Sequence, residues 1–359
     1  MRMIGIESVE PGQILGKSIY TSEGRSLLQS GVSLTPSMIN TLHRLGVTVV
    51  YISEKEFEDV KLEDVVSDET RRMAIKSISD SMQKIQKGKD FDSKSISQAV
   101  GSIIDEILRN KNILLQLSDI RTKDNALFIH SINVCIISSI IGAKLNLSTP
   151  NLKELAIGAI LHDIGKTVVE ESESKTVIPK GKTNNHENDH TWLGFNLLRK
   201  KHELSLATAH IALQHHEKID GSGSPRGIGG DEIHLFAKIV GLANYYDHLI
   251  SEIDGEGMAP YEASEYIMGL ANVHFDHEVV RQFLRSIALY PTGTSVKLST
   301  GDVGVVVGQH MGLPSRPIIR VIKLGEENRG SRFASQDHEV QEIDLAKNTT
   351  IFIKNVIKP

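Results

Sequence analysis

Apolar residues along this chain change their spacing twice, near residue 64 and again after Tyr290-Pro291. Before the first change they come in short runs broken by turn residues: "GQILGKSIY", "GRSLLQSGVSL" and "VTVVYIS". Such runs predict short strands, and residues 1–63 are expected to form a small β-rich domain. One helix interrupts it at "TPSMINTLHRLG", where Thr35 is placed to cap, Pro36 fits the first turn and Gly46 ends the helix. From about 64 to 285 the apolar spacing becomes three and four residues, as in "DETRRMAIKSISDSMQKIQ" and "SKSISQAVGSIIDEILRN". These two helices predict a linker or bundle extension over 64–120, ahead of a helical domain over 121–285. Within that domain "ALFIHSINVCIISSIIGAKLNL" is apolar nearly all round, which predicts a helix in the middle of a bundle. Beyond residue 286, "TSVKLSTGDVGVVVGQ", "RPIIRVIKL" and "TTIFIKNVI" read as strands punctuated by Gly, Pro and Asn. Residues 286–359 are therefore expected as a small β-barrel or sandwich. The fold class is mainly α, a helical bundle between two small β-rich flanks.

Composition narrows the function classes. The 359 residues are 40% hydrophobic, enough for a sizeable core, and carry a net charge of −5. That balance argues against a nucleic-acid polymer as partner but leaves room for a small anionic ligand held by local cations. The single cysteine, Cys135, excludes an intramolecular disulfide and a thiolate metal cluster. It also fits a reducing compartment. The N-terminal stretch "MRMIGIESVEPG" lacks the apolar core of a signal peptide. No stretch is read as approaching the ~18 apolar residues of a membrane span. The expected location is the cytoplasm, and a homodimer is left open.

The candidate chemistry lies in the helical zone. Nine of the fifteen histidines fall between His130 and His234. In "STPNLKELAIGAILHDIGK", Thr149 is the expected cap and Pro150 the first helical position. Leu155, Ala159, His162 or Asp163, and Lys166 follow at four- and three-residue steps on one face. His162 and Asp163 are adjacent, about 100° apart around a helix axis, so they reach one pocket from different angles. An aspartate has two oxygens and can bridge two cations, whereas an imidazole binds one. Lys166 sets an ammonium near the same pocket. A His-Asp pair at the end of so apolar a helix is costly unless it is paired or holds a metal. His130 reads either as a hydrogen-bonded core residue or as a ligand. His215 and His216 offer two adjacent imidazoles at the end of "ELSLATAHIALQHHE", where His210 is the poorer candidate.

"HENDH", His186 to His190, matches the H-E-x-x-H zinc-protease pattern. That chemistry needs both histidines on one face of a long amphipathic helix, and here a polar loop leads into the motif. His186 and Glu187 are therefore expected in a loop or first turn, and His190 is the better ligand.

The order His130, "HDIGK", His190, then "HHEKIDGSGSP" resembles the HD-GYP family of bacterial phosphohydrolases, part of the HD superfamily of helical metal-dependent hydrolases. The resemblance covers about residues 121–285 and, less specifically, both β-rich flanks. It implies an HD-type helical core holding two divalent metals, iron or manganese. The implied reaction is hydrolysis of cyclic di-GMP, or a related phosphorylated nucleotide, to pGpG or GMP. Position by position, His130, His162 and Asp163 would bind one metal, with Asp163 bridging to a second held by His190, His215 and His216. Asp163 and Lys166 would be catalytic, Lys166 neutralising charge on the phosphate. Gly221, Gly223, Ser224 and Arg226 would line the substrate side, and Glu217 and Asp220 would orient ligating histidines.

Four departures from the family pattern stand out. Ser224 replaces the tyrosine of the Gly-Tyr-Pro triplet. Asn244, in "AKIVGLANYYDHL", stands where the last metal-binding aspartate is expected; its amide oxygen can coordinate but carries no charge. Asp247 lies one turn later at a different family position. Ile253 and Glu256 fall where members carry basic residues for the nucleotide, and Ala126 lacks the carboxylate that serves a third metal. Two function classes follow: an active two-metal phosphodiesterase, or a degenerate nucleotide-binding regulatory module that retains a metal.

Overall fold

The computed structural model describes residues 1–60, 62–117, 119–167, 186–251, 257–324 and 338–357. At the N-terminus, β1 (Arg2–Gly5), β5 (Val49–Ser53) and β2 (Ile14–Leu15) form an antiparallel sheet in the order β1-β5-β2. β3 (Ile19–Tyr20) and β4 (Ser26–Leu28) pair beside it. Helix α1 (Pro36–Arg44) starts and stops where the sequence expects. The Thr35 side chain accepts from the Met38 N–H, and Gly46 turns the chain with φ +79°. Leu42, Val50 and Ile52 fill the core of this unit.

Helices α2 (Asp68–Gln86) and α3 (Ser93–Arg109) pack on each other and on the bundle behind them. Their apolar stripes, including Ile78 and Ile103, enter the same core as the later helices, so this segment belongs to the bundle. The centre is α4 (Ala126–Lys144), buried without a break from Ile129 to Gly142. Around it lie α5 (Thr149–Leu161), α6 (His186–Leu198), α7 (Leu206–Gln214), α8 (Leu235–Ile250), α9 (Pro260–Gly269) and α10 (His277–Leu284). Fully burying each Ile or Leu of such a helix contributes about 1.5–3 kcal/mol, which offsets the cost of the polar residues carried with it.

Two sequence expectations need correction here. Ser148, not Thr149, caps α5: its side chain accepts from the Asn151 N–H, and Pro150 sits at the second position. Ser and Thr are both favoured caps, so adjacent candidates are hard to separate from sequence. In addition, α4 is long and apolar enough by length and composition to cross a membrane. Most of it is buried against the neighbouring helices.

The C-terminal unit is a five-stranded antiparallel sheet in the order β10-β6-β7-β8-β9. Its strands are β6 (Ser295–Leu298), β7 (Val303–Gly308), β8 (Ile318–Leu324), β9 (His338–Asp344) and β10 (Ile353–Val356). Val296, Ile319 and Val321 form its own core. This unit is tied to the others: the Met3 N–H donates to Gly293 O, and Arg320 bonds both Asp59 and Glu342 at 2.6 Å.

Candidate metal centre

Four helix ends and one helix middle converge on the site. α4 supplies His130. The chain leaves α5 at Leu161 and makes a tight turn that carries His162 and Asp163, so the pair sits just past the helix. His190 lies in the first turns of α6, His215 caps the C-terminus of α7, and α8 contributes Asn244. Close approach of these elements dictates a glycine in "HDIGK". A Cβ on Gly165 would stand 1.9 Å from the His190 carbonyl oxygen.

The side chains gather into two triads around Asp163. In the first, the Nε2 atoms of His130 and His162 are 3.3 Å apart, and Asp163 Oδ2 lies 3.7 and 3.3 Å from them. In the second, the Nε2 atoms of His190 and His215 are 3.4 Å apart, and Asp163 Oδ1 lies 3.3 and 3.6 Å from them. His216 completes this second group, its ring centroid 4.1 Å from that of His215. One carboxylate therefore turns one oxygen to each triad.

The donor set fits metal ions for a reason of protonation. His162 Nδ1 faces Ala159 O at 2.8 Å, and His215 Nδ1 faces Ala212 O at 2.9 Å. His130 Nδ1 is 2.7 Å from Asp247 Oδ2. A nitrogen facing a carbonyl or carboxylate oxygen must carry the proton, so each neutral ring presents a bare Nε2 lone pair inward. Two bare nitrogens at 3.3 Å repel each other unless a cation lies between. Nitrogens about 2.1 Å from one ion at a tetrahedral angle stand about 3.4 Å apart, close to both observed separations. Among the described residues, Asp163 Oδ1 and Asn244 Oδ1 are both buried without a hydrogen-bond partner, as unfilled ligand positions would be.

Burial opposes ionisation of Asp163, but its imidazole neighbours, His162 first and then His190 and His215, hold its carboxyl well below the usual range. Lys166, at the mouth, adds its Nζ at 2.7 Å from Oδ2. Desolvation pushes His215 down to about 4 and His216 well below the ordinary histidine value. These rings stay neutral in the folded chain and take up protons when it unfolds. Stability of the chain stripped of metal by chelator is thus full above pH 6.5 and falls as pH drops from 6.5 towards 4, because the unfolded state binds more protons there. For His215 alone the loss is on the order of 3 kcal/mol. Denaturant melts in EDTA across this range check it; a flat profile would contradict neutral buried imidazoles.

The segment "HHEKIDGSGSPRG" folds into a loop fastened to the second triad. The Ser224 N–H donates to His216 O. Two residues have other work than the sequence reading gave them. Glu217 orients no histidine; its carboxylate accepts from the backbone N–H groups of Arg226 and Ile228 and clamps the loop. Asp220 closes a local turn, accepting from the N–H and hydroxyl of Ser222. Gly221 has φ +78°, whereas Gly223 is required by the chain itself, since a Cβ there would lie 2.3 Å from Lys218 N. His210 packs against Phe195, 5.3 Å between centroids, outside both triads. Ile253 and Glu256 lie outside the described residues, as do the side chains of His186 and Glu187.

Sequence reasoning missed the support of His130. Asp247 is fully buried; besides His130 it accepts from Arg121 at 2.5 Å and from Asn133 Nδ2 at 3.1 Å. Burial opposes its ionisation, but Arg121 and His130 hold its carboxyl far below the usual range. His248 was missed as well. Its ring lies 4.5 Å from that of His130, with an exposed outer edge, and desolvation pushes it down to about 4. Asn244 and His248 are four apart on α8, a spacing that was visible in the sequence and puts Asn244 on the same face.

Comparison with known proteins agrees with this architecture. Residues 110–279 match the family model described as an HD domain, and residues 295–359 match a KOW domain associated with HD domains. Over residues 110–279, just under half of the chain, the protein is thus similar to the HD-domain family, and its C-terminal sheet is similar to the KOW domain associated with it. A cyclic di-GMP phosphodiesterase of Pseudomonas aeruginosa is 33% identical over 230 residues, 62% of this chain and 54% of that protein. A 3'3'-cGAMP-specific phosphodiesterase of Vibrio cholerae is 32% identical over 169 residues, 45% of this chain and 35% of that protein. This chain spans about half the length of the first relative and about a third of the second. A solved structure, an HDG"Y"P protein from Bdellovibrio bacteriovorus, is 19% identical with a TM-score of 0.49, covering 78% of this chain and 97% of that one.

Proposed function

We propose that this chain is a metal-dependent phosphodiesterase acting on a cyclic dinucleotide, cyclic di-GMP first, through two divalent ions bridged by Asp163. One observation carries the reading: a buried, ionised carboxylate with one oxygen directed to each of two histidine triads. The activities named for the relatives point to the same substrate class. His130, His162, Asp163 and Asn244 would hold one ion, and Asp163, His190, His215 and His216 the other. We take iron or manganese as the metal. Such ions supply an activated water and neutralise the phosphate oxygens of an in-line displacement.

The chain's own residues do the rest. Asp247 and the carbonyls of Ala159 and Ala212 fix the tautomers of His130, His162 and His215, so no ring reorients when charge develops. Lys166, partly exposed beside Asp163, holds an ammonium where a phosphodiester would enter and offsets its charge in the transition state. The loop from Gly221 to Arg226, clamped by Glu217, forms one lip, with Arg226 available to a second phosphate. Ser224 gives that lip a small hydroxyl in place of an aromatic ring, which weakens stacking on a base.

The test is incubation of the manganese-loaded chain with cyclic di-GMP and, in parallel, 3'3'-cGAMP, with products separated by chromatography. Conversion of cyclic di-GMP to pGpG or GMP is the expected result. Stoichiometric binding without turnover would sink the enzyme reading in favour of a regulatory module. Asn244→Asp adds a charge at a buried oxygen that has no partner, and should tighten the first ion about tenfold by calorimetric titration. Unchanged affinity would place Asn244 off the ion.

A further inference from the structure

A cavity of about 430 Å³ lies where the N-terminal sheet, the bundle and the C-terminal sheet meet, apart from the metal triads. Its volume is in the range that takes a small organic ligand. All three units contribute walls: Tyr51 from the first, Leu289 and Tyr261 from the second, Thr294 from the third. Thr294 is buried, and its hydroxyl has no hydrogen-bond partner among the described residues. Most of the lining is aliphatic or aromatic, but one side is polar in a specific sense. Asp119, an acceptor only whose Oδ2 is held by Arg71 at 2.5 Å, and Arg121, a donor only, stand two residues apart on that side.

We propose that this cavity is a binding site for a guanine nucleoside. A ligand suited to it needs a flat body for the tyrosine-bearing walls and one edge with adjacent donors and an acceptor. Guanine has that edge: its N1–H and N2 amino group donate, towards Asp119, and its O6 accepts, from Arg121. Stacking on an aromatic ring is worth about 1–3 kcal/mol per base, so Tyr261 at the wall is a substantial contact. Arg121 already has firm neighbours, Asp247 and Ser251, which hold its guanidinium in place without help from the ligand. The same Arg121–Asp247–His130 chain links the cavity to the first triad.

The site does not depend on the phosphodiesterase reading, because its occupancy is measured without divalent metal. Guanosine is titrated calorimetrically into the full chain in EDTA, and into Leu289→Trp, which fills the cavity, and Tyr261→Ala, which removes a wall. Saturable binding is expected, weakened at least about tenfold in both variants and retained in Asp163→Ala. Folding of each variant is checked by its circular dichroism; Tyr261, which is only half-buried, serves if Leu289→Trp does not fold. Absence of saturable guanosine binding would overturn the proposal, as would binding unchanged in the folded variants or lost in Asp163→Ala. Equal binding of adenosine would overturn the assignment to the guanine edge.

Discussion

Asp163→Asn is expected to abolish turnover of cyclic di-GMP, by at least about 10³-fold, and to remove metal from both triads at once. The substitution is nearly isosteric and keeps one oxygen, so packing around the fully buried side chain survives. What it removes is the negative charge that both triads share, with Oδ2 3.3 Å from His162 and Oδ1 3.3 Å from His190. An amide has one oxygen and one NH₂, and the amine would point at a bare imidazole lone pair on one side. Loss of both ions together, with little change in the circular dichroism of the metal-free chain, distinguishes a bridge from a ligand of one ion. Retention of one ion at wild-type affinity would contradict the bridge.

The second large effect belongs to a residue that never touches the ion. Asp247→Ala leaves Arg121 without its carboxylate partner in the interior and lets the His130 ring choose its tautomer. Breaking a buried pair from one side costs about 3–5 kcal/mol, and loss of the group behind a ligating histidine lowers metal affinity about 10–100-fold. The melting temperature of the metal-free chain should therefore fall by on the order of 10 °C. The first ion should weaken while the second, on His190, His215 and His216, keeps its affinity. Equal weakening of both ions would show that Asp247 acts through global stability alone.

The two residues also mark how far the sequence could be read. His162, Asp163, His190, His215 and His216 announce themselves because charged or paired polar residues at the ends of apolar helices demand compensation, and metal is the economical partner. The bundle was equally legible, since helix period and the all-round apolarity of α4 leave few alternatives. Asp247 was harder. Its carboxylate meets His130 across 117 positions of sequence, a contact set by the packing of α8 on α4 rather than by any local spacing. Glu217 was misassigned for a related reason: beside two candidate ligands, His215 and His216, it reads as their helper, but its carboxylate turns to the N–H groups nine and eleven residues ahead. Ser148 against Thr149 turned on loop geometry that either residue satisfies.

The count of ions per chain tests the central claim most directly. After reconstitution with manganese under reducing conditions and removal of free metal, elemental analysis should give two ions per chain for the wild type and none for Asp163→Asn. A wild-type chain that holds a single ion at saturation, or an Asp163→Asn chain that still holds two, would contradict a site bridged by Asp163.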